Sequence, residues 1–325
     1  MWGNGRRNIP WPMAEIITIT LNPAIDHTVH LERFEPGKVN RVDWHHRQAG
    51  GKGVNVAALL AAYGVPCVAT GLLGDENPEL FEKLCREAGI VDSFIRIPGE
   101  TRTGIKIIGD TRTGTTDINF PGLAPDAGGW GRLVGKVGEL AEAGRWCVFG
   151  GSLPTGVEAG DFRELLEIAR ARGAKVAVDA SGPALEAALD MGVDLIKPNE
   201  HELAEVTGVS RESLVSDPAP VLRRLGERIG HIILSMGEKG ALFHTPDATL
   251  HAKPPEVEVV SSVGAGDSLL AGYMAGLVTG RSPVDRARLA TVFAWSALEK
   301  VSRSLPSMDE IRSRMERVEV RGQGG

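Results

Sequence analysis

The chain has 325 residues, of which 42% are hydrophobic and 24% charged, so it can build a large core. The 36 Lys and Arg residues against 42 Asp and Glu leave a net charge of −6, and 5% of the residues are aromatic. An acidic chain with few aromatic residues lacks the field and the stacking platforms of a general nucleic-acid-binding protein. No run of about 18 apolar residues occurs, so no membrane span is predicted.

The ends of the chain and its cysteines favour a cytoplasmic protein. The N-terminal segment contains two arginines, at positions 6 and 7, but no apolar stretch follows them, so a secretory signal is not predicted. We expect flexible tails at residues 1–13 and 318–325. The cysteines, Cys67, Cys85 and Cys147, are odd in number and far apart, which favours a reducing compartment.

Short apolar strands alternate with helical patterns along most of the chain. Strands are predicted at 15–21, 65–74, 146–150, 175–179, 194–198 and 231–235, and helices at 53–64, 161–171 and 219–229. This alternation predicts an α/β fold with a mainly parallel central sheet. Such sheets bind ligands beyond the carboxyl ends of their strands.

Two segments, 27–47 and 93–120, break this rhythm. Each contains alternating strand patterns and polar turns with no helix between them. We interpret them as a small antiparallel sheet inserted into a single domain at 14–315. One face of such a sheet needs cover, so it would serve as a lid, a dimer surface or both.

VGAGDS, at 263–268, leads directly into a helical pattern. Gly264 and Gly266 permit a tight turn, and the free amides at the positive end of the helix can hold an anion. Asp267 beside them could accept a proton from a hydroxyl group. The alternative is that Asp267 is only a helix-start residue that suits the dipole.

AGGKGVN, at 49–55, is a glycine-rich turn that enters a helix. It is neither a Walker A loop nor a dinucleotide fingerprint, because the closing GK[ST] and the third glycine are missing. Lys52 and Asn55 are its candidate ligand contacts, unless the segment is a plain turn. Asp26 ends LNPAID at the edge of the sheet and could bond sugar hydroxyls, or simply form a turn.

In TRTGIKI, at 101–107, Arg102, Gly104 and Lys106 share one face of a strand. Two cations on one face could hold a phosphate in an acidic protein, although a solvated face is equally consistent. Lys38 in the preceding lid segment is a weaker candidate.

Asn199 and Glu202 lie three residues apart in KPNEHE, which leaves a strand and enters a helix. They could hold Mg²⁺ through water, or form a capping box at the helix start. SMGEKGA, at 235–241, offers another loop that a ligand could approach closely.

Taken in order, these segments resemble the ribokinase-like (PfkB) carbohydrate kinase family. The ordered set is TLNPAID, GGKGVNVA, TRTGIKI, GGSLPTGV, VDASG, KPNEHEL, SMGEKGA and VGAGDS, and it extends from about residue 16 to about residue 311. Each segment alone is weak evidence for the family, whereas the ordered set is specific to it. LNPAID and GGKGVNVA are most similar to the phosphosugar branch, and within it to 1-phosphofructokinases.

The resemblance implies a three-layer α/β/α fold with a β lid that pairs two subunits, and a role for each matching position. Asp267 is then the catalytic base, with Gly264, Ala265 and Gly266 as the anion hole. The sugar phosphate is held by Asp26, Gly51, Lys52, Asn55, Arg102, Lys106, Lys38 and Ser152. ATP is bound by Lys197, Asn199, Ser235 and Gly237, and Asn199 and Glu202 organise Mg²⁺ through water.

The implied activity is phosphorylation of a hexose monophosphate by ATP, foremost fructose 1-phosphate to fructose 1,6-bisphosphate. Tagatose 6-phosphate and fructose 6-phosphate are the alternative acceptors, and a non-catalytic sugar-phosphate sensor is the alternative from another class. Two departures bear on this reading. Gly104 stands where the resemblance leads us to expect asparagine, and EKVSRSLPS lacks an expected glycine before LPS.

Overall fold

The computed structural model describes residues 15–109, 115–300 and 304–323. The strands are β1 (Ile16–Thr20), β2 (Ala24–His30), β3 (Trp44–Gly50), β4 (Cys67–Gly74), β5 (Val91–Asp92), β6 (Ile95–Ile97), β7 (Thr103–Ile108), β8 (Thr116–Asn119), β9 (Trp146–Gly150), β10 (Lys175–Asp179), β11 (Leu195–Ile196), β12 (His231–Ser235), β13 (Ala241–His244), β14 (Thr249–Lys253) and β15 (Glu319–Gln323). The helices are α1 (Lys52–Tyr63), α2 (Glu79–Ala88), α3 (Ala127–Leu140), α4 (Ala159–Ala171), α5 (Gly182–Met191), α6 (Glu200–Thr207), α7 (Arg211–Ser216), α8 (Ala219–Gly226), α9 (Ala265–Val278), α10 (Pro283–Leu298) and α11 (Met308–Arg317).

The large sheet confirms the predicted α/β class. Its order is β15-β14-β13-β12-β11-β10-β9-β1-β4-β5, with β6 also paired to β4. The strands from β12 to β4 are parallel, and β13, β14 and β15 continue the sheet antiparallel. The predicted apolar strands form its centre, because strands buried on both faces are continuously apolar.

The alternation of side chains along β1 divides the core into two layers. Ile16 belongs to the cluster that contains residues of α1, α9 and α10. Ile17 and Ile19 point the other way and join the cluster that contains residues of α3, α4 and α5. The central sheet therefore has helices on both faces, and the three-layer architecture follows from this pattern.

The lid is a four-stranded sheet of order β3-β2-β7-β8, as predicted from the two segments. The β2–β3 and β7–β8 pairs are antiparallel, whereas β2 and β7 are parallel. Its second segment begins at Thr103 rather than at residue 93. Residues 95–97 pair instead with β4 of the large sheet, because the Ile97 side chain is buried in the core.

The prediction of a flexible C-terminal tail is wrong for residues 318–323. The strand β15 pairs antiparallel with β14 along its whole length. Helix α11 holds this segment in place because its residues Ile311 and Met315, and Val318 directly after it, are buried. The domain therefore extends beyond residue 315 to the edge of the sheet, and residues 1–13 and 324–325 lie outside the described ranges.

Within the described ranges, no helix is long and apolar enough to cross a membrane. The three cysteines are buried and unpaired.

Candidate active site

The loop before α9 builds a possible anion-binding site. Gly264 takes a positive φ of 77° at the N-cap position, which suits glycine, and no side chain among the described residues caps the helix there. The Ala265 amide donates to the Ser262 carbonyl at 3.3 Å, so this amide is already engaged. The amides of Gly266 and Asp267 have no carbonyl partner within the helix, so they and the helix dipole favour an anion.

Asp267 is buried in the first turn of α9, with 8% of its surface exposed. Its Oδ2 accepts a hydrogen bond from Asn55 Nδ2 at 2.5 Å, which joins the two predicted loops. Burial, and secondarily the charge of Asp179, raise the pKa of Asp267 above the usual range of a carboxyl group. A carboxylate with a raised pKa is a stronger base than an ordinary aspartate.

Asp179 lies at the end of β10 and is fully buried. Its Oδ1 accepts from Lys52 Nζ at 2.6 Å and forms an ion pair with Lys197 Nζ at 3.2 Å. Burial opposes its ionisation, but the charges of Lys197 and Lys52 outweigh this effect and lower the pKa of Asp179. Asp179 is not among the residues predicted from the sequence, although an aspartate at the carboxyl end of a parallel strand is a usable signal.

Lys52, which the resemblance assigns to the sugar, takes part in the same ion pairs. Its ammonium group is held on Asp179, and the attraction of Asp179 and then Asp267 raises its pKa against the effect of burial. Lys197 Nζ lies 3.4 Å from the position that a Cβ on Gly266 would occupy. Two ammonium groups, the amides of α9 and the Asp267 carboxylate therefore converge at one end of the sheet.

Glycine at 51 and 53 allows the start of α1 to lie against β1. Gly51 has a φ of 110°, and a Cβ on Gly53 would lie 2.4 Å from Thr20 Oγ1. Neither position accommodates a side chain without movement of the backbone. This close packing carries Asn55 to Asp267.

The lid contributes a second polar group. Asp26 is buried on β2, and its Oδ1 accepts from Lys106 Nζ on β7 at 3.0 Å. A Cβ on Gly50 would lie 2.5 Å from Asp26 Oδ2, so glycine there makes room for the carboxylate. Two predicted substrate residues are thus brought together.

Arg102 is placed by backbone carbonyls at the base of the lid. Its Nη2 donates to Asn22 O at 3.3 Å and its Nη1 to Phe120 O at 3.4 Å. Partial burial lowers its pKa, while the charge of Asp26 raises it. Asn22 Nδ2 in turn donates to Ser152 Oγ at 3.1 Å, which links the Arg102 segment to the predicted GGSLP loop.

Lys38 is not brought to these groups within this chain. It lies on the loop between β2 and β3, where its Nζ pairs with Glu35 at 3.0 Å and its side chain is 67% exposed.

Asn199 and Glu202 form the capping box that the sequence left as an alternative. Asn199 Oδ1 accepts from the amides of His201 and Glu202, and Glu202 Oε2 accepts from the Asn199 amide. Ser235 lies beside them, because its amide donates to Pro198 O at 3.1 Å. Gly237 begins a short 3₁₀ turn with a φ of 55° and open space above it.

The described residues contain no group of three or more His, Cys, Asp or Glu side chains that could hold a metal ion directly, so a divalent cation at this end of the sheet would be bound through water. Asp179 Oδ2 is buried and accepts no hydrogen bond from the described residues. The capping box uses one oxygen of Glu202. The charge of the Glu202 carboxylate also contributes to the raised pKa of Lys52. Oxygen ligands that act partly through water are typical of Mg²⁺ sites.

Comparison with known families gives the class of the protein. The model of the pfkB family carbohydrate kinases matches residues 19–310, most of the chain. The protein belongs to this family, whose members are ATP-dependent sugar kinases.

Individual relatives narrow the similarity within the family. The chain is 41% identical over 290 residues to the 1-phosphofructokinase of Xanthomonas campestris pv. campestris. This alignment covers 88% of this chain and 91% of the relative. The structure of phosphofructokinase-2 from Escherichia coli in complex with substrates and products matches with a TM-score of 0.86 and 26% identity, over 93% of this chain and 99% of that one. Ribokinase from Arabidopsis thaliana shares the fold, with a TM-score of 0.70 and 20% identity over 94% of this chain and 99% of that one.

Proposed function

We propose that the protein transfers the γ-phosphoryl group of ATP to a hydroxyl group of fructose 1-phosphate, which gives ADP and fructose 1,6-bisphosphate. The observation that carries this proposal is the buried Asp267 carboxylate, whose pKa is raised, beside the amides of α9 and the ammonium of Lys197. The 41% identity with a 1-phosphofructokinase supports the choice of acceptor.

In this reaction Asp267 takes the proton of the acceptor hydroxyl as its oxygen forms a bond to the γ-phosphorus. The bond from that phosphorus to the bridging oxygen breaks, and ADP leaves with the electron pair. The amides of Gly266 and Asp267, with Lys52 and Lys197, neutralise charge on the phosphoryl oxygens. Mg²⁺, held through water by Asn199 and Glu202, would shield the charges of the ATP phosphates. Ser235 and Gly237 border the nucleotide.

The phosphate already present on the substrate binds Arg102, with Ser152 beside it. Asp26 accepts from sugar hydroxyls and is oriented by Lys106, while Gly51 allows close approach of the sugar. Asn55 fixes the Asp267 carboxylate through the hydrogen bond at 2.5 Å. Positioning of the two substrates supplies most of the acceleration, as is general for phosphoryl transfer.

The experiment that tests the function measures ADP release with ATP, Mg²⁺ and one acceptor at a time. Fructose 1-phosphate, fructose 6-phosphate, tagatose 6-phosphate, free fructose and ribose form the set. The highest kcat/KM is expected with fructose 1-phosphate. A preference for another hexose monophosphate would change the acceptor, a preference for a free sugar would reject the phosphosugar class, and no turnover with any acceptor would favour a sensor.

Arg102→Ala is expected to raise the KM for fructose 1-phosphate by about 10- to 100-fold, because a hydrogen bond to a charged group contributes about 1.5–3 kcal/mol. The KM for ATP should change by less than about twofold, since this side chain lies on the lid side of the site. Steady-state kinetics with each substrate varied separately give both values. Arg47→Ala, which removes an exposed arginine from β3, is the matched control. A loss of ATP affinity in the Arg102 variant would reverse our assignment of the two substrate sites.

We also propose a homodimer through the lid. Exposed large apolar side chains are concentrated in the lid segments, at Phe34, Val39, Val42, Trp44, Ile118 and Phe120. Exposed apolar patches of this kind mark contact surfaces. Sedimentation velocity at micromolar concentration is expected to show a dimer, and a single monomeric species would contradict this assembly.

A cytoplasmic location is consistent with the buried, unpaired cysteines. Burial raises the pKa of the Cys147 thiol to about 12, so this thiol has little tendency to ionise or oxidise.

A further inference from the structure

A polar row crosses the lid at the level of Asp26. The register pairs Asp26 with Gln48 on β3 and with Gly104 on β7, and Gly104 with Asn119 on β8. Cross-strand partners in a sheet point to the same face. Gln48, Asp26 and Asn119 therefore share the face of the lid that carries the carboxylate proposed to bind the sugar, and Gly104 separates the last two.

The missing side chain at Gly104 leaves room for the Asn119 amide. A Cβ on Gly104 would lie 3.3 Å from Asn119 Oδ1 and 3.7 Å from Asp26 Oδ1. The Oδ1 atoms of Asn119 and Asp26 therefore both lie close to the position that a side chain at residue 104 would occupy. Asn119 itself lies on an edge strand and is exposed, so its amide remains accessible to a ligand.

The strand that carries Asn119 is also tied to the proposed phosphate site. Arg102 Nη1 donates to the carbonyl of Phe120, the next residue in the chain. Lys106 holds Asp26 from the other side at 3.0 Å. A sugar phosphate with its phosphate on Arg102 and a hydroxyl on Asp26 would therefore extend along the end of β8.

We propose that Asn119 is a specificity-determining residue that binds a hydroxyl group of the phosphosugar between Asp26 and Arg102. This inference rests on the proposed function. An amide both donates and accepts, whereas the Asp26 carboxylate only accepts, so the pair fixes the orientation of neighbouring hydroxyls. Sites that hydrogen-bond a substrate hydroxyl discriminate strongly against analogues that lack it.

The test is steady-state kinetics of Asn119→Ala with fructose 1-phosphate and with its monodeoxy analogues. The variant is expected to raise the KM for fructose 1-phosphate about 10-fold, the equivalent of about 1.4 kcal/mol. Its kcat and its KM for ATP should stay within about twofold of wild type. One deoxy analogue, which lacks the hydroxyl that Asn119 binds, should show the same KM with the variant and with wild type.

Two further variants separate binding from folding. Thr116→Ala on the same strand faces the other side of the lid and should leave all constants unchanged. Gly104→Ala, which places a methyl group against the amide, should raise the same KM without lowering the melting temperature. An unchanged KM in Asn119→Ala, or an equal effect on every deoxy analogue, would overturn the inference. Inactivity of the wild-type protein toward fructose 1-phosphate would instead refute the proposed function.

Discussion

Replacement of Asp267 by asparagine is expected to lower kcat by about 10²- to 10⁴-fold, the usual contribution of general-base catalysis. Asparagine preserves the shape of the side chain but cannot take the proton of the acceptor hydroxyl. The KM values for both substrates should change little, because the amides of α9 and the ammonium groups remain. Single-turnover measurements with the enzyme in excess over fructose 1-phosphate and with saturating ATP isolate the chemical step.

The same variant is expected to be at least as thermally stable as wild type at neutral pH. A carboxyl whose pKa is raised by folding binds more protons in the folded state, so its ionisation costs stability as the pH rises through the folded pKa. Asparagine removes that cost. Asp285→Asn is the matched control, because the Asp285 carboxylate has a structural role in the first turn of α10: it accepts from Ser282 Oγ at 2.9 Å and pairs with Arg288 at 3.6 Å. It should keep full turnover, and near-normal turnover in the Asp267 variant would assign Asp267 to that structural role instead.

Patterns in the sequence predicted the fold more completely than the site. Continuous apolar strands indicated the central sheet, because burial on both faces demands such composition. The strand at 319–323 was missed because EVRGQ has little apolar character; it pairs with β14, and Val320 packs against the core. The predicted start of the second lid segment at residue 93 was wrong for a related reason. An alternating segment does not reveal which of two sheets it will join.

Within the site, residues that are neighbours in sequence form short motifs, whereas partners that are distant in sequence leave no local pattern. Gly264, Gly266 and Asp267 lie in one turn, so their chemistry follows from a short motif. Lys52 and Asp179 are 127 residues apart, and no local pattern records their ion pair. For that reason the sequence did not predict Asp179, which holds the ammonium groups of Lys52 and Lys197.

Asp179→Asn is expected to lower the free energy of unfolding by about 3–5 kcal/mol, since it leaves the buried Lys197 without its carboxylate partner. It should also lower kcat by roughly 10²-fold or more, because Lys52 and Lys197 lose the group that positions them, and removal of one donor to the transferring group already costs about that much. Chemical denaturation and the kinetics of the folded variant measure the two effects separately.

The pH dependence of the Asp179 variant provides a readout that instability alone would not produce. The negative charge of Asp179 raises the pKa of Asp267, and the ammonium groups it holds would be freed to act on Asp267. Both changes lower the pKa of Asp267, so the acidic limb of kcat/KM should move to lower pH than in wild type. The ionisation of fructose 1-phosphate is the same in both proteins, so the difference between the profiles belongs to the enzyme.

The double variant Asp179→Asn with Lys197→Met separates the structural from the chemical role of this ion pair. Methionine removes the unpaired buried charge, so much of the lost stability should return, whereas turnover should stay low because one ammonium group is now absent. Recovery of turnover together with stability would mean that Asp179 only supports the fold. Recovery of stability alone would show that the charges at the end of β10 are retained for phosphoryl transfer, at a cost to the core that holds them.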